Sequence, residues 1–200
     1  MGKAKSDLPV IAFISQQAWD VWLTSQPAQS RGLWLKLSKK SSGIASVSKP
    51  EAIDTALCHG WIDGQLDSFD DDHWLIRFTP RQSTSKWSEK NRARALQLVE
   101  LGRMQATGLN EIERAKKDGR WSAAYAPQST AQVPDDLRAA LAKHKKAKSF
   151  FETLDSTNRY AILHRIHGAK KPETRKARIE KYVAMLIEGK TIYPQKPKKP

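Results

Sequence analysis

A single cysteine, Cys58, leaves the chain with no internal disulfide and no zinc site built from several thiolates. It fits a reducing compartment, so a cytoplasmic location is expected. Long apolar runs are missing as well. The run at residues 10–14 falls far short of the roughly 20 residues of a membrane-spanning helix and is too short for the apolar stretch of an export signal. The GxSxG, P-loop and GxGxxG patterns are absent, which removes sequence support for serine hydrolases, P-loop NTPases and dinucleotide binders. No CxxC or HxxxH spacing and no internal repeat occurs. No catalytic residue, metal ligand set or cofactor is therefore assigned. Cys58 and its neighbour His59 point about 100° apart on a helix, and burial is the expected fate of a lone thiol.

What is present is enough to fold. The 200 residues include seven Trp, more than a disordered chain carries. The formal net charge of +14 is unevenly spread: residues 1–100 hold 13 Lys/Arg against 11 Asp/Glu, and residues 101–200 hold 22 against 10. A field of that sign attracts nucleic acid, anionic lipid or acidic protein, although lysine-rich helix surfaces also serve solubility. The opening MGKAKS matches an N-myristoylation pattern, against the plainer reading of a frayed start.

Local patterns predict a strand at 10–13 and a helix capped by Ser15, with Trp19, Trp22 and Leu23 on one face. Alternating Leu33, Leu35 and Leu37 predict a strand that turns through 39–43 into a partner at 44–47. Ser48 and Glu51 form a capping box, with Pro50 in the first turn of a helix that Gly60 closes. A tight turn from Trp61 to Gly64 should lead into a hairpin of 65–69 and 73–79 around Asp70, Asp71 and Asp72. Ser85 is expected to cap a helix over 86–102, and another helix fits 109–118. From Asp135 onward the period is helical, with Asp135 and Ser156 as caps and a last helix running from about Thr174 to Gly189.

The expected class is α+β: a small antiparallel or mixed sheet from two hairpins, with packed helices, followed by an all-helical basic region. The expected organisation is an α+β domain over 10–121, a linker loop over 122–134, helices over 135–190 and a disordered basic tail over 191–200.

The densest cluster of unusual residues is GWIDG at 60–64 with FTPR at 78–81 and SKWSEKN at 85–91, all at junctions between elements. If these segments meet, Trp61 and Trp87 wall a cleft, Arg81 binds a carboxylate or phosphate, and Asp63, Ser85, Ser88 and Asn91 orient the guest. The competing account is structural: Arg81 pins two loops, Ser85 only caps, and the indoles close the core. On the C-terminal helices, Lys170, Lys171, Arg175, Arg178 and Lys181 form a candidate anion or nucleic-acid surface. The Asp70–72 run and the pair His164 and His167 read as solvated turn and helix-end residues rather than metal sites.

The ordered segments EAIDTALCHGWIDG, RFTPRQSTSKWSEKN, LGRMQATGLNEIERAKKDGRW and AKKPETRKARIEKYVAMLIEGK resemble the YdeI/OmpD-associated family, also called bacteriocin-protection proteins, over about 10–190. His59 departs from the aromatic residue expected before GWIDG. The resemblance implies resistance to antimicrobial peptides or bacteriocins and association with a porin, and it supplies no catalytic residues. The leading expectation is thus a soluble binding protein with a small anionic ligand. The alternatives are an enzyme using Asp63 as general base and Arg81 as electrostatic stabiliser, and nonspecific nucleic-acid binding by the basic helices.

Overall fold

A computed structural model describes residues 7–27, 29–169 and 171–195. The MGKAKS pattern, Lys170 and the tail over 196–200 lie outside the described residues. The chain divides into two compact units, Met1–Ala124 and Tyr125–Pro200. The class is α+β, with a helical C-terminal unit. No helix among the described residues is long and apolar enough to cross a membrane.

The first unit is built on a four-stranded mixed sheet of order β1-β2-β4-β3. Strand β1 (Val10–Ala12) leads into α1 (Gln16–Thr24), whose first turn is capped by the Ser15 hydroxyl accepting from the Ala18 amide. β2 (Leu33–Ser38) then pairs parallel with β1, and β4 (His73–Pro80) pairs antiparallel with β2 on its other edge. The strand expected at 44–47 does not form. A 3-10 turn at Lys40–Ser42 follows β2, and both edges of β2 are already occupied, so the segment has no ladder to join. Only Val47 is buried there, its amide donating to the Phe13 carbonyl at 2.9 Å. One hairpin, not two, therefore contributes to the sheet.

The capping box of α2 (Lys49–Cys58) is complete: the Glu51 amide donates to the Ser48 hydroxyl and the Ser48 amide to the Glu51 carboxylate. α2 is the wall shared by two apolar cores. Ala52 and Ala56 face Trp19, the β2 leucines, Ile76 and Phe78, while Leu57 and Cys58 face α3 (Glu89–Glu100) and α4 (Ala106–Lys117). Gly60, at φ 75°, reverses the chain in one residue, so β3 (Trp61–Ser68) starts at Trp61 rather than after a turn ending at Gly64. β3 pairs antiparallel with β4, with an irregularity between Asp63 and Leu66. Helix α3 begins three residues later than expected. Its cap is Ser88, which accepts from the Asn91 amide at 3.1 Å; the Ser85 hydroxyl instead accepts from the Gln82 amide at 2.9 Å. α4 begins three residues earlier than expected, without a side-chain cap.

The second unit holds α5 (Asp135–Ala142), α6 (Lys145–Thr153), α7 (Ser156–His167) and α8 (Pro172–Ile187). Pro134 rather than Asp135 is the N-cap of α5, and Asp155 rather than Ser156 caps α7, accepting from the Asn158 amide at 2.7 Å. Leu137, Phe151, Ile162, Ile166, Val183 and Leu186 anchor the core. In the stretch expected as a loose tail, 191–200, the Ile192 and Tyr193 amides donate to Asn158 Oδ1 at 3.1 and 2.9 Å, so its first residues are tied down.

Candidate functional site

The turn at Gly60 and the end of β4 bring 59–61 beside 80–82. Trp61 is the register partner of Pro80, and the Arg81 amide donates to the Gly60 carbonyl at 3.0 Å. α4 closes over this corner. The Gln105 amide donates to the Cys58 carbonyl at 3.0 Å, and Gly108 lies against that same carbonyl with no room for a Cβ. Between the end of α1, the Gly60 turn, the end of β4 and α4 lies a cavity of about 560 Å³. Leu23, Pro27, Trp61 and Pro80 supply apolar wall, while His59, Arg81, Gln105, Asn110, Glu111 and Arg114 bring polar groups to it.

The charges on this wall are held in place. Arg81 is 4% exposed, its guanidinium carbon 3.7 Å from the Trp87 ring centroid, and its Nη1 donates to the Lys86 carbonyl at 3.3 Å. Arg114 Nη2 donates to the Arg81 carbonyl at 3.2 Å and to Glu111 Oε2 at 2.5 Å. His59, almost fully buried, donates from Nε2 to Asp20 Oδ1 at 2.8 Å, and Asp20 is half exposed. The loop after Arg81 is fastened from α4's far end. Arg120, 5% exposed, pairs with Asp118 at 2.7 Å and donates to the Ser85 carbonyl at 2.9 Å.

Of the seven residues expected to bind a guest, Trp61 and Arg81 line the cavity and Trp87 lies under Arg81. The two indoles do not face each other across a cleft. Trp61 meets Trp19 and Trp22 edge-on at 6.4 and 5.7 Å, whereas Trp87 meets Trp121 at 4.8 Å in the other core. Asp63 sits opposite Phe78 on β3, and Asp63, Ser85, Ser88 and Asn91 do not line the cavity. The amide of Asn91 is already taken by Ser88, so anion binding at the start of α3 loses one donor. The residues that sequence reasoning missed are the His59–Asp20 pair and the α4 group of Gln105, Asn110, Glu111 and Arg114. Its one available signal was Gly108, a glycine inside a helical stretch, which marks close backbone approach.

The remaining candidates have plainer surroundings. Cys58 is buried, and burial pushes its thiol above the usual range, the opposite of a reactive thiolate. Asp70 accepts from the Asp72 and His73 amides, and Lys39 Nζ donates to the Asp70 and Asp71 carbonyls at 2.9 and 2.8 Å, so the aspartate run builds the hairpin turn. No cluster of three metal-ligating side chains exists among the described residues. On the C-terminal surface, Arg175 grips Asp136 through Nε at 2.5 Å and Nη2 at 3.0 Å, and Arg178 donates to the Arg165 carbonyl. These two guanidinium groups are directed at their own chain; Lys171 and Lys181 are exposed.

Residues 11–111 match the family model described as Domain of unknown function (DUF8412). Residues 130–189 match the model described as Bacteriocin-protection, YdeI or OmpD-Associated. Comparison with curated proteins and with solved structures finds no match.

Proposed function

Since the chain belongs to the DUF8412 family and carries a YdeI/OmpD-associated segment at 130–189, neither of which prescribes a reaction, we propose from the cavity itself that the first unit binds a small anion with an apolar body. The observation that carries this reading is that Arg81 and Arg114, linked through Arg114 Nη2 and the Arg81 carbonyl at 3.2 Å, both line one 560 Å³ cavity to which Leu23, Pro27, Trp61 and Pro80 add apolar wall. That volume lies within the usual range for small-molecule sites, and guanidinium groups suit carboxylate or phosphate. Asp63, the general base of the enzymatic alternative, lies off the cavity, which favours binding over turnover. Protection against bacteriocins, the role named in the family description, would then follow from sensing the guest. Direct capture of cationic peptides is opposed by a chain of net charge +14.

The test is calorimetric titration of the full chain with inorganic phosphate, acetate and benzoate. Benzoate should bind best, because its ring can cover the apolar wall. Arg114→Ala, a substitution at a side chain 43% exposed, should weaken binding about tenfold or more, the worth of one charge-assisted hydrogen bond. Silence with all three anions, or an Arg114→Ala variant that binds like wild type, would remove the proposal.

A further inference from the structure

The second unit carries a groove that the cavity reading leaves unused. It has a volume of about 670 Å³ and lies between α5 and α8, with a floor of Ala140, Ile179, Val183, Ala184 and Ile187. Its lining extends from Pro172 to Ile187, the full length of α8, or about 24 Å at 1.5 Å per residue. That is the length of a four-turn helix, and an aliphatic floor of this kind accepts the apolar stripe of an amphipathic one.

The walls name the charge of the occupant. Lys143 and His144 line one side and Lys176 the other. Of the two carboxylates at the groove, Asp136 is gripped by Arg175, which leaves Glu180 against these cations. His144 is also the N-cap residue of α6, with no side-chain cap hydrogen bond, and the first turn of α6 carries Lys145, Lys146 and Lys148 with no acidic residue. Cations at a helix N-terminus oppose the helix dipole. Lys143, Lys145, Lys146, Lys148 and Lys176 make no ion pair among the described residues. The surrounding unit, residues 125–200, holds 17 Lys/Arg against 7 Asp/Glu. A concentrated, internally unbalanced positive field thus borders an apolar trough.

We propose that the α5–α8 groove docks an acidic amphipathic helix of a protein partner. The helix seats its apolar stripe on Ala140, Val183, Ala184 and Ile187 and sets its carboxylates against Lys143, Lys176 and the α6 lysines. Nucleic acid fits this surface less well, because the trough offers aliphatic carbon and no Phe, Tyr or Trp on which a base could stack. The proposal concerns the second unit alone and stands whether or not the cavity of the first unit binds anions.

The test uses the full chain and a fluorescein-labelled peptide of about 16 residues, matched to the groove's length, with Leu at i, i+3, i+4, i+7 spacing and Glu elsewhere. Fluorescence anisotropy should show saturable binding. Lys143→Glu with Lys176→Glu, both at exposed side chains, should weaken it at least about tenfold, and Ala184→Trp, also exposed, should block it while leaving the melting curve intact. A peptide with Lys in place of Glu should fail on the wild type and gain affinity for the charge-reversed variant. The proposal falls if the acidic peptide does not saturate, or if neither variant alters its binding. It also falls if a Ser-for-Leu peptide binds as tightly as the parent, which would make the trough irrelevant. Binding of a single-stranded oligonucleotide that displaces the peptide and is itself blocked by Ala184→Trp would assign the groove to nucleic acid and overturn the proposal.

Discussion

Gly108 lies in the first turn of α4, where intrinsic helix propensity favours alanine by about 1 kcal/mol. The structure predicts the opposite sign for Gly108→Ala. A Cβ there would lie 2.2 Å from the Cys58 carbonyl oxygen and 2.9 Å from its carbon, and 2.7 Å from Met104 Cε. The methionine end can move; the carbonyl ends α2 and accepts the Gln105 amide at 3.0 Å, so it cannot retreat alone. Separation by roughly 1 Å would cost about 1–3 kcal/mol in displaced packing and about 1 kcal/mol for the strained Gln105 hydrogen bond. Set against the helical gain, the net destabilisation is about 2 kcal/mol, or roughly 8 °C in melting midpoint for a unit of this size. The assay is built into the sequence. All seven Trp lie in 1–124 and all four Tyr in 125–200, so tryptophan fluorescence follows the first unit alone. The variant should also bind benzoate more weakly, because α4 supplies Gln105, Asn110 and Arg114 to the cavity wall. An unchanged or raised tryptophan-monitored midpoint would refute the close approach of α4 to α2 and, with it, the geometry of the cavity.

Asn158, 1% exposed, accepts from the Ile192 and Tyr193 amides and donates to Asp155 Oδ1 at 3.1 Å and the Tyr193 carbonyl at 3.2 Å. Asn158→Ala should cost the second unit about 2 kcal/mol, read as an earlier loss of the near-ultraviolet tyrosine signal in urea, and a coincident curve would contradict it. Asp136 is held below the usual carboxylate range, first by its hydrogen bonds from Arg175 and then by the Leu137 amide, against the opposing effect of burial. A depressed carboxyl favours the folded state in full above its unfolded value, about pH 4, and that stabilisation fades as pH falls through the folded value. With Asp136 44% exposed, the effect is at most about 1 kcal/mol. Below about pH 4 the urea midpoint of the second unit should fall more steeply in wild type than in Asp136→Asn; parallel acid limbs would show that the pair does not contribute.

Local chemistry is readable in the sequence where several adjacent residues agree, whereas single-residue caps slip along the chain, Ser88, Pro134 and Asp155 standing where Ser85, Asp135 and Ser156 are expected. Ser48, Lys49, Pro50 and Glu51 define a helix start among themselves, and Gly60 closes that helix because only the left-handed region reverses the chain so tightly. Pairing was less legible. Residues 44–47 resemble a strand, but a strand needs a free edge, and whether β2 had one depended on β1, about 20 residues earlier, and β4, about 40 residues later. The site split along the same line. Trp61 and Arg81 flank the ends of one hairpin, so their shared place in the cavity follows from β3–β4 pairing. Asp63 stands off the cavity because a strand beginning at Trp61 carries the chain about 7 Å in two residues. Arg114 reaches the cavity only because α4 docks on the Cys58 carbonyl, a contact across about 50 positions that no local pattern announces.

The basic second unit shows why a count of positive charges does not by itself describe an electrostatic surface. In the sequence Arg175 and Arg178 group with the lysines as one anion-seeking stripe, but a guanidinium is a planar fork that carbonyls and carboxylates of the same chain can satisfy. Arg175 spends its donors on Asp136 and the Ile166 carbonyl, and Arg178 one of its own on the Arg165 carbonyl. Lysine, a compact and strongly hydrated charge on a flexible stem, gains less from such arrangements and stays in solvent. The field that an approaching partner meets is therefore carried by exposed lysines, Lys171 and Lys181 on the stripe and Lys143, Lys145, Lys146, Lys148 and Lys176 around the groove and the start of α6. Replacing Arg175 should loosen α5 from α8, whereas replacing Lys143 and Lys176 should leave stability untouched and alter only what binds.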